Sequence, residues 1–430
     1  MFSSTKARRL ALAAVVLVTL HLFYTYTHFP TQPLYSINGV IPSDCPSLPG
    51  LENVVLVLKT GVTEATTKLP VHRNTTLRCI PNYIVWSDYD EEIADIPVHD
   101  VLYNESSHLH TLPDFNLYTR VHAQGRNALT QHDLNDDPST PFGKSNPGWK
   151  LDKWKFVPMV EHTLRLFGKD DYKWYIFMEA DTYILWSSML SWLARLDASI
   201  PYYLGNQMQI RDVLFAHGGS GFVLSRPAME KAASLIEDRR EYWNSITESE
   251  WAGDCVLGIL LKEAGVDLGW SWPMLQIAPP AEIDHFSSNY GRTPWCYPAV
   301  SFHHLKPGDI KDLVALEKRM ARRGVQEPVL WKDVFFELSR PRMSDGVVKD
   351  WDNQAGEAKG MVNTVQECRW MCMQDVHCLQ YVRRVDGMCV FGRDARVGEK
   401  RGGFESGWMM DRIDAMAKML GSCPAPDWVP

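Results

Sequence analysis

The chain opens with an apolar run from Leu10 to about Phe23, extendable to Phe29, with Lys6, Arg8 and Arg9 ahead of it. No small-residue cleavage site is evident around residues 20–30, so the run reads as an uncleaved signal-anchor rather than a secretory leader. It is short for a spanning helix, yet tolerable in a thin internal membrane. The cationic flank assigns residues 1–9 to the cytoplasm, 10–29 to the membrane and the remainder to a lumen. Residues 30–50 carry Pro30, Pro33, Pro42, Pro46 and Pro49 with little periodicity, and read as a stem.

Beyond the stem, short apolar runs alternate with amphipathic stretches. Val54–Leu58, Asn82–Asp88, Trp174–Met178 and Tyr202–Gly205 predict strands. Helical spacing of Trp154, Val157, Val160, Leu164 and Phe167 predicts a helix over 149–167 closed by Gly168. Further helices are expected over 187–196, 226–239 and 254–264, with a terminal one to about Arg323. Strands alternating with helices imply a mostly parallel sheet covered on both faces, an α/β domain. Residues 100–148 are polar and irregular and predict a long loop region.

Candidate chemistry gathers at the ends of these elements. Glu179 and Asp181 stand where the 174–178 strand should finish, and ligands of open α/β sheets bind beyond the carboxyl ends of strands. An acidic pair there suits a hard divalent cation that could hold a diphosphate, or equally an acidic turn capping the next segment. Gly218, Gly219 and Gly221 let backbone pass close to a ligand or a neighbouring strand, or form a flexible hairpin. Asp254 begins a helix, where capping is the ordinary use. His303 and His304 follow an apolar strand and suit either a metal or an unremarked core.

Composition narrows the class. With 430 residues, 45% apolar and 22% charged, the chain has ample core for two or three domains. A net charge of −8 leaves no broad basic face and argues against a nucleic-acid partner. Asn74-Thr75-Thr76 and Asn104-Glu105-Ser106 are glycan acceptor sequons, and nine cysteines favour an oxidising compartment.

Taken together, Val57-Leu58-Lys59-Thr60-Gly61, Met178-Glu179-Ala180-Asp181-Thr182-Tyr183, Gly218-Gly219-Ser220-Gly221, Gly253-Asp254-Cys255-Val256-Leu257-Gly258 and Phe302-His303-His304-Leu305 resemble the inverting glycosyltransferases of family 31. In motif order they are most similar to core-1 β-1,3-galactosyltransferases and Fringe-type β-1,3-N-acetylglucosaminyltransferases, in a form like the fungal members. The resemblance covers roughly residues 51–325, within a domain expected over 51–335. It implies a GT-A fold, a UDP-sugar donor, a glycan or glycoprotein acceptor, Mn²⁺ and a single-pass type II Golgi membrane protein with its catalytic domain in the lumen. By position, it makes Asp181 and His303 metal ligands, with His304 the contender and Glu179 on the metal or the ribose. It makes Asp254 the base that takes the acceptor proton. It places Lys59 and Thr60 near the nucleotide, Asp88 toward uracil or ribose, and Gly219 and Gly221 against the sugar. The first and middle positions of the acidic motif depart from the usual Asp-rich form. That departure leaves a second reading, a lectin or folding chaperone on the same scaffold. Retention of Asp181, His303 and Asp254 together favours the enzyme.

Residues 345–415 resemble a PAN/apple module, on Cys368, Cys372, Cys378 and Cys389, followed by a tail over 416–430. The resemblance implies Cys368–Cys389 and Cys372–Cys378 bridges. Among the other cysteines a Cys255–Cys296 bridge is expected, and an odd count leaves one thiol over.

Overall fold

Val54–Lys59 is buried at all six positions, which only the middle of a sheet covered on both faces provides. The computed structural model describes residues 42–43, 45–135, 146–168, 171–322 and 327–429. The expected membrane span lies outside the described residues, among which no helix is long and apolar enough to cross a membrane. The strands of the main domain are β1 (Val54–Lys59), β2 (Tyr83–Ser87), β3 (Glu91–Ile93), β4 (Ile96–Asp100), β5 (Trp174–Glu179), β6 (Tyr183–Ile184), β7 (Tyr203–Gly205), β8 (Gln207–Ile210), β9 (Val213–Ala216), β10 (Phe222–Ser225), β11 (Leu268–Trp270) and β12 (Ser301–Phe302). Eight of them form one sheet in the order β11-β7-β10-β5-β1-β2-β4-β3. Pairing is parallel from β4 through β2 and β1 to β5, and again between β7 and β11; β10 runs antiparallel to both its neighbours. The expected mixed α/β, mostly parallel architecture is therefore present.

Period-two alternation splits the sheet's apolar residues between two cores. Val55, Val57, Tyr175 and Phe177 face the helices Phe156–Phe167, Arg226–Asp238 and Gly253–Glu263. Val54, Leu56, Leu58, Ile176 and Met178 face Ala65, Leu69 and the helix Trp186–Leu193. Each such side chain contributes about 1.5–3 kcal/mol of burial. Because β10 is reversed, the glycine-rich loop entering it meets the carboxyl ends of β1 and β5. Opposite it, β6 and β12 pair as a separate antiparallel ribbon, Tyr183 with Phe302 and Ile184 with Ser301.

Several local expectations change. The helix expected over 149–167 is broken into Pro147–Asp152, a 3₁₀ turn at Lys153–Lys155, and Phe156–Phe167. At the break Lys153 and Lys155 turn inward to Asp114 and Asp88, at 3.0 and 2.9 Å. The region 100–148, expected as loop, holds a helix Asn116–Gln124 that buries Leu117, Tyr118 and Val121, while residues 136–145 lie outside the described set. Two hairpins also went unforeseen. β3 and β4 are joined through Ala94 and Asp95, both left-handed (φ 52 and 60°), and β8 and β9 through Arg211 (φ 52°). Neither turn carries the Asn-Gly or Asp-Gly signal.

The remaining strands, β13 (Val348–Asp352), β14 (Glu357–Met361), β15 (Gln380–Arg383), β16 (Met388–Gly392) and β17 (Glu399–Trp408), make an antiparallel sheet in the order β13-β17-β15-β16-β14. The Val365–Gln374 helix covers it, stapled by Cys368–Cys389 and Cys372–Cys378 as the resemblance implied. A mixed cluster joins the two parts: Phe286, Trp295 and Phe335 pack with Leu379, Trp408, Met410 and Ile413.

The Cys255–Cys296 bridge does not form. Cys296 pairs with Cys423, Cys45 with Cys79, and Cys255 is a buried free thiol. Cys296 ends a 3₁₀ turn that the returning C-terminal segment grips: the Trp295 indole N–H donates to the Gly421 carbonyl at 2.9 Å and Asp427 N–H to the Cys296 carbonyl at 3.0 Å. The segment expected as a tail thus runs back to the main domain, where Val429 is buried in the second core beside Trp428. Denatured without reductant, the protein is expected to take up one equivalent of iodoacetamide, at Cys255, as read by peptide mass spectrometry. Cys423→Ser opens a loop of 127 residues and is expected to cost about 2–5 kcal/mol, read as a lowered Tm.

Candidate active site

Three segments meet beyond the carboxyl ends of β1 and β5. The first is the acidic turn 179–181. His72, fully buried, fixes its backbone by donating from Nε2 to the Ala180 carbonyl at 2.8 Å, which leaves Nδ1 to accept from Thr76 at 2.8 Å. Burial pushes this imidazole down to about 4, so it stays neutral and holds that tautomer. The second segment follows β12. Its ribbon pairing with β6 carries His303 alongside Asp181, and Leu305 N–H bonds the Asp181 carbonyl at 2.9 Å. The third is the glycine loop, bonded to the turn through Thr182 Oγ1 and the Gly219 carbonyl at 2.6 Å.

The side chains converge accordingly. His303 Nε2 lies 3.1 Å from Asp181 Oδ1 and 3.6 Å from Glu179 Oε2, and His304 Nδ1 is 3.9 Å from Asp181 Oδ2. His304 has a left-handed backbone (φ 57°), an uncommon conformation for a non-glycine residue and one that concentrates at functional sites. One donor atom each from Asp181, His303 and His304 falls within 4.8 Å of the others. Asp181 Oδ1 and both His303 ring nitrogens are buried without a well-formed hydrogen bond. One carboxylate and two imidazoles within reach of a single point make a mixed oxygen and nitrogen donor set that fits a divalent cation. Glu179 stands beside that set rather than in it, because Lys59 holds its Oε1 at 3.0 Å.

Charges alternate through the whole site. Lys155 pairs with Asp88 (2.9 Å) and Asp152 (3.5 Å); Lys59 pairs with Asp152 (2.5 Å) and Glu179; Lys68 pairs with Asp181 (3.0 Å) and Glu64 (2.6 Å). Burial works against the Lys59 ammonium, but Asp152 and Glu179 outweigh it and raise its pKa. Burial likewise works against the His303 imidazolium, and the Asp181 and Glu179 carboxylates overcome it, lifting it to about 9. In the same way burial opposes the Asp181 carboxylate while His303 and Lys68 hold it well below the usual range.

Asp254 lies in the first turn of the Gly253–Glu263 helix, where Ala252 holds the capping position expected for it. Its Oδ2 accepts from Gly218 N–H and its Oδ1 from Cys255 N–H, both at 2.9 Å. Burial pushes its carboxyl up to about 6, against the pull of the Gly218 N–H. Gly218 adjoins Gly219, which lies against the His303 ring, so the base candidate and the metal ligands share one loop. A Cβ on Gly219 would lie 2.2 Å from His303 Cε1, and one on Gly253 2.4 Å from Phe156 Cδ2. Gly221 has φ 77°, so both its conformation and its neighbour's closeness require glycine in this loop.

Other expected positions serve the frame. Asp88 is buried, accepting from Val62 N–H at 2.7 Å and ion-paired with Lys155, and thereby shapes the loop after β1. Thr60 is buried with its carbonyl bonded by Lys155 at 2.8 Å. Sequence reading missed Lys68, Asp152, Lys155, His72 and His217, whose Nδ1 accepts from Ser220 N–H at 3.0 Å. The i,i+4 spacing of Glu64 and Lys68, at a helix of four residues, and the i,i+3 spacing of Asp152 and Lys155 are local signals for three of them.

Residues 143–275 match the family model described as Fringe-like. That segment contains Asp152, Glu179, Asp181, the glycine loop and Asp254, and stops short of His303. Over 122 residues, 27% of this chain, the protein is 25% identical to human chondroitin sulfate glucuronyltransferase, and it spans 15% of that protein's length. A Fringe-like segment, similarity to a glycosyltransferase and a mostly parallel α/β sheet agree in supporting a glycosyltransferase class for this site.

Gly219→Ala should displace His303 without touching the sheet. The expected result is a loss of about tenfold or more in divalent-cation affinity in calorimetry, with an unchanged far-UV spectrum.

Proposed function

We propose that the protein is an inverting, Mn²⁺-dependent glycosyltransferase that moves a hexose or N-acetylhexosamine from a UDP-sugar to a hydroxyl of a glycan or glycoprotein, in a β-1,3 linkage. The observation that carries this reading is the convergence of Asp181, His303 and His304 on one point, with Asp254 tied into the same glycine loop. Four disulfides among the described residues and the sequons suit the lumen of the Golgi, with residues 10–29 as the anchor. The C-terminal module, read as PAN/apple-like, is a place for acceptor glycoproteins to dock.

A divalent cation on Asp181 and the histidines supplies charge against the departing diphosphate. The chain's own residues do the rest. Asp254 accepts the proton of the acceptor hydroxyl as its oxygen attacks the anomeric carbon, and burial tunes its carboxyl toward that task. One positioned carboxylate suits a single displacement with inversion, with no second carboxylate serving as nucleophile. Lys59 keeps Glu179 charged and fixed, so that Glu179 in turn orients the His303 ring. Gly218 and Gly219 keep the floor of the site free of side chains.

Asp254→Asn is expected to lower kcat about 10²–10⁴-fold while UDP still binds with Mn²⁺. In the wild type, the base works only when deprotonated, so kcat/KM should fall as pH drops through about 6, and Asp254→Asn should abolish that limb. Asp181→Ala should remove Mn²⁺-dependent UDP binding. Turnover that survives in Asp181→Ala would overturn the metal assignment, and a wild type with no Mn²⁺-dependent UDP binding would leave the lectin or chaperone reading.

A further inference from the structure

Lys68 plays no part in the mechanism above, yet its ammonium sits on the proposed metal ligand. Its Nζ is 3.0 Å from Asp181 Oδ2, the oxygen that His304 also faces, and 2.6 Å from Glu64 Oε2. The other Asp181 oxygen points at His303. A dication held by Asp181, His303 and His304 must therefore share an oxygen with Lys68 or displace it. Two positive charges at adjacent ligand positions repel strongly in a partly buried site. Lys68 is able to yield, being a third exposed on a flexible four-carbon stem and keeping Glu64 as a second partner. Lys59 differs. It is almost wholly buried between Asp152 and Glu179, with Phe156 beneath its ammonium at 4.5 Å, and has nowhere to go.

We propose that Lys68 is a donor-binding residue with two positions: on Asp181 it competes with the metal, and once the metal takes that oxygen its ammonium binds the diphosphate of the nucleotide. The inference rests on the glycosyltransferase reading and deepens it. The geometry favours the second position because the helix bearing Lys68 starts five residues after Thr60, at the carboxyl end of β1, the side from which a nucleotide approaches a parallel sheet. An ammonium released from Asp181 beside a bound dication keeps Glu64, and a diphosphate on that dication offers the second negative partner it has lost. The same side chain thereby makes metal and nucleotide binding interdependent, since each relieves the other's unfavourable contact.

The test separates two affinities in the full chain with Lys68→Gln. Free Mn²⁺, counted by electron paramagnetic resonance without nucleotide, should show severalfold tighter binding in the variant, because a competing cation is gone. UDP affinity at saturating Mn²⁺, measured by calorimetry, should be about tenfold weaker, and Lys68→Arg should restore it. Opposite signs support the proposal. Both affinities falling would make Lys68 a structural support, and both unchanged would make it a bystander; either result overturns it while leaving the enzyme reading intact. A wild type that binds Mn²⁺ but no UDP would overturn the glycosyltransferase reading and the proposal together.

Discussion

The site depends on one contact, the approach of the His303 imidazole to the Asp181 carboxylate. The two residues are joined by no strand of the main sheet. They meet because two residues after the acidic turn and two residues before His303 pair as a ribbon, with Tyr183, Leu185 and Phe302 anchored in a third apolar cluster with Leu313 and Leu316 of the helix Pro307–Arg322. Burying such a pair is costly unless its geometry is good and its remaining atoms are used. Around it the chain has placed Lys59, Lys68 and Glu179, so the local excess of carboxylates is matched by cations within hydrogen-bonding distance.

That balance explains the glutamate at the first acidic position. A longer side chain here reaches Lys59 with one oxygen and approaches His303 with the other. It acts on the imidazole's orientation, leaving Asp181 as the carboxylate that faces both histidines. The motif's departure from an all-aspartate form is thus accommodated by Lys59, whose own second anchor, Asp152, comes from the break in the helix expected over 149–167.

Much of this was legible in the sequence. The central strand, the acidic turn, the glycine loop, Asp254 and the histidine pair were each visible as residue types at element ends, and the sheet's class followed from alternation. What stayed hidden has a common cause: it depends on pairing between distant segments. Lys155 and Asp152 lie within the helix expected over 149–167, yet they pair with Asp88 and Lys59 at the buried end of the sheet. Asp88, expected toward the nucleotide, is buried against Lys155 and the Val62 N–H, partners that come from distant segments. Left-handed turns at Ala94 and Arg211 use residues with no turn signature, and Asp95 beside Ala94 is a weak one without a following glycine. A Cys255–Cys296 bridge was the pairing expected, whereas Cys296 is claimed by a segment 127 residues later, which no local pattern announces.

The ribbon between β6 and β12 has a further consequence for how this domain comes into being. Its two halves are more than a hundred residues apart, and every principal strand of the sheet precedes the second half. The cluster of Asp181, His303 and His304 is therefore completed late in the chain, after every strand of the main sheet has been made. An ion that needs all three residues would find no complete site on a chain shorter than about 304 residues.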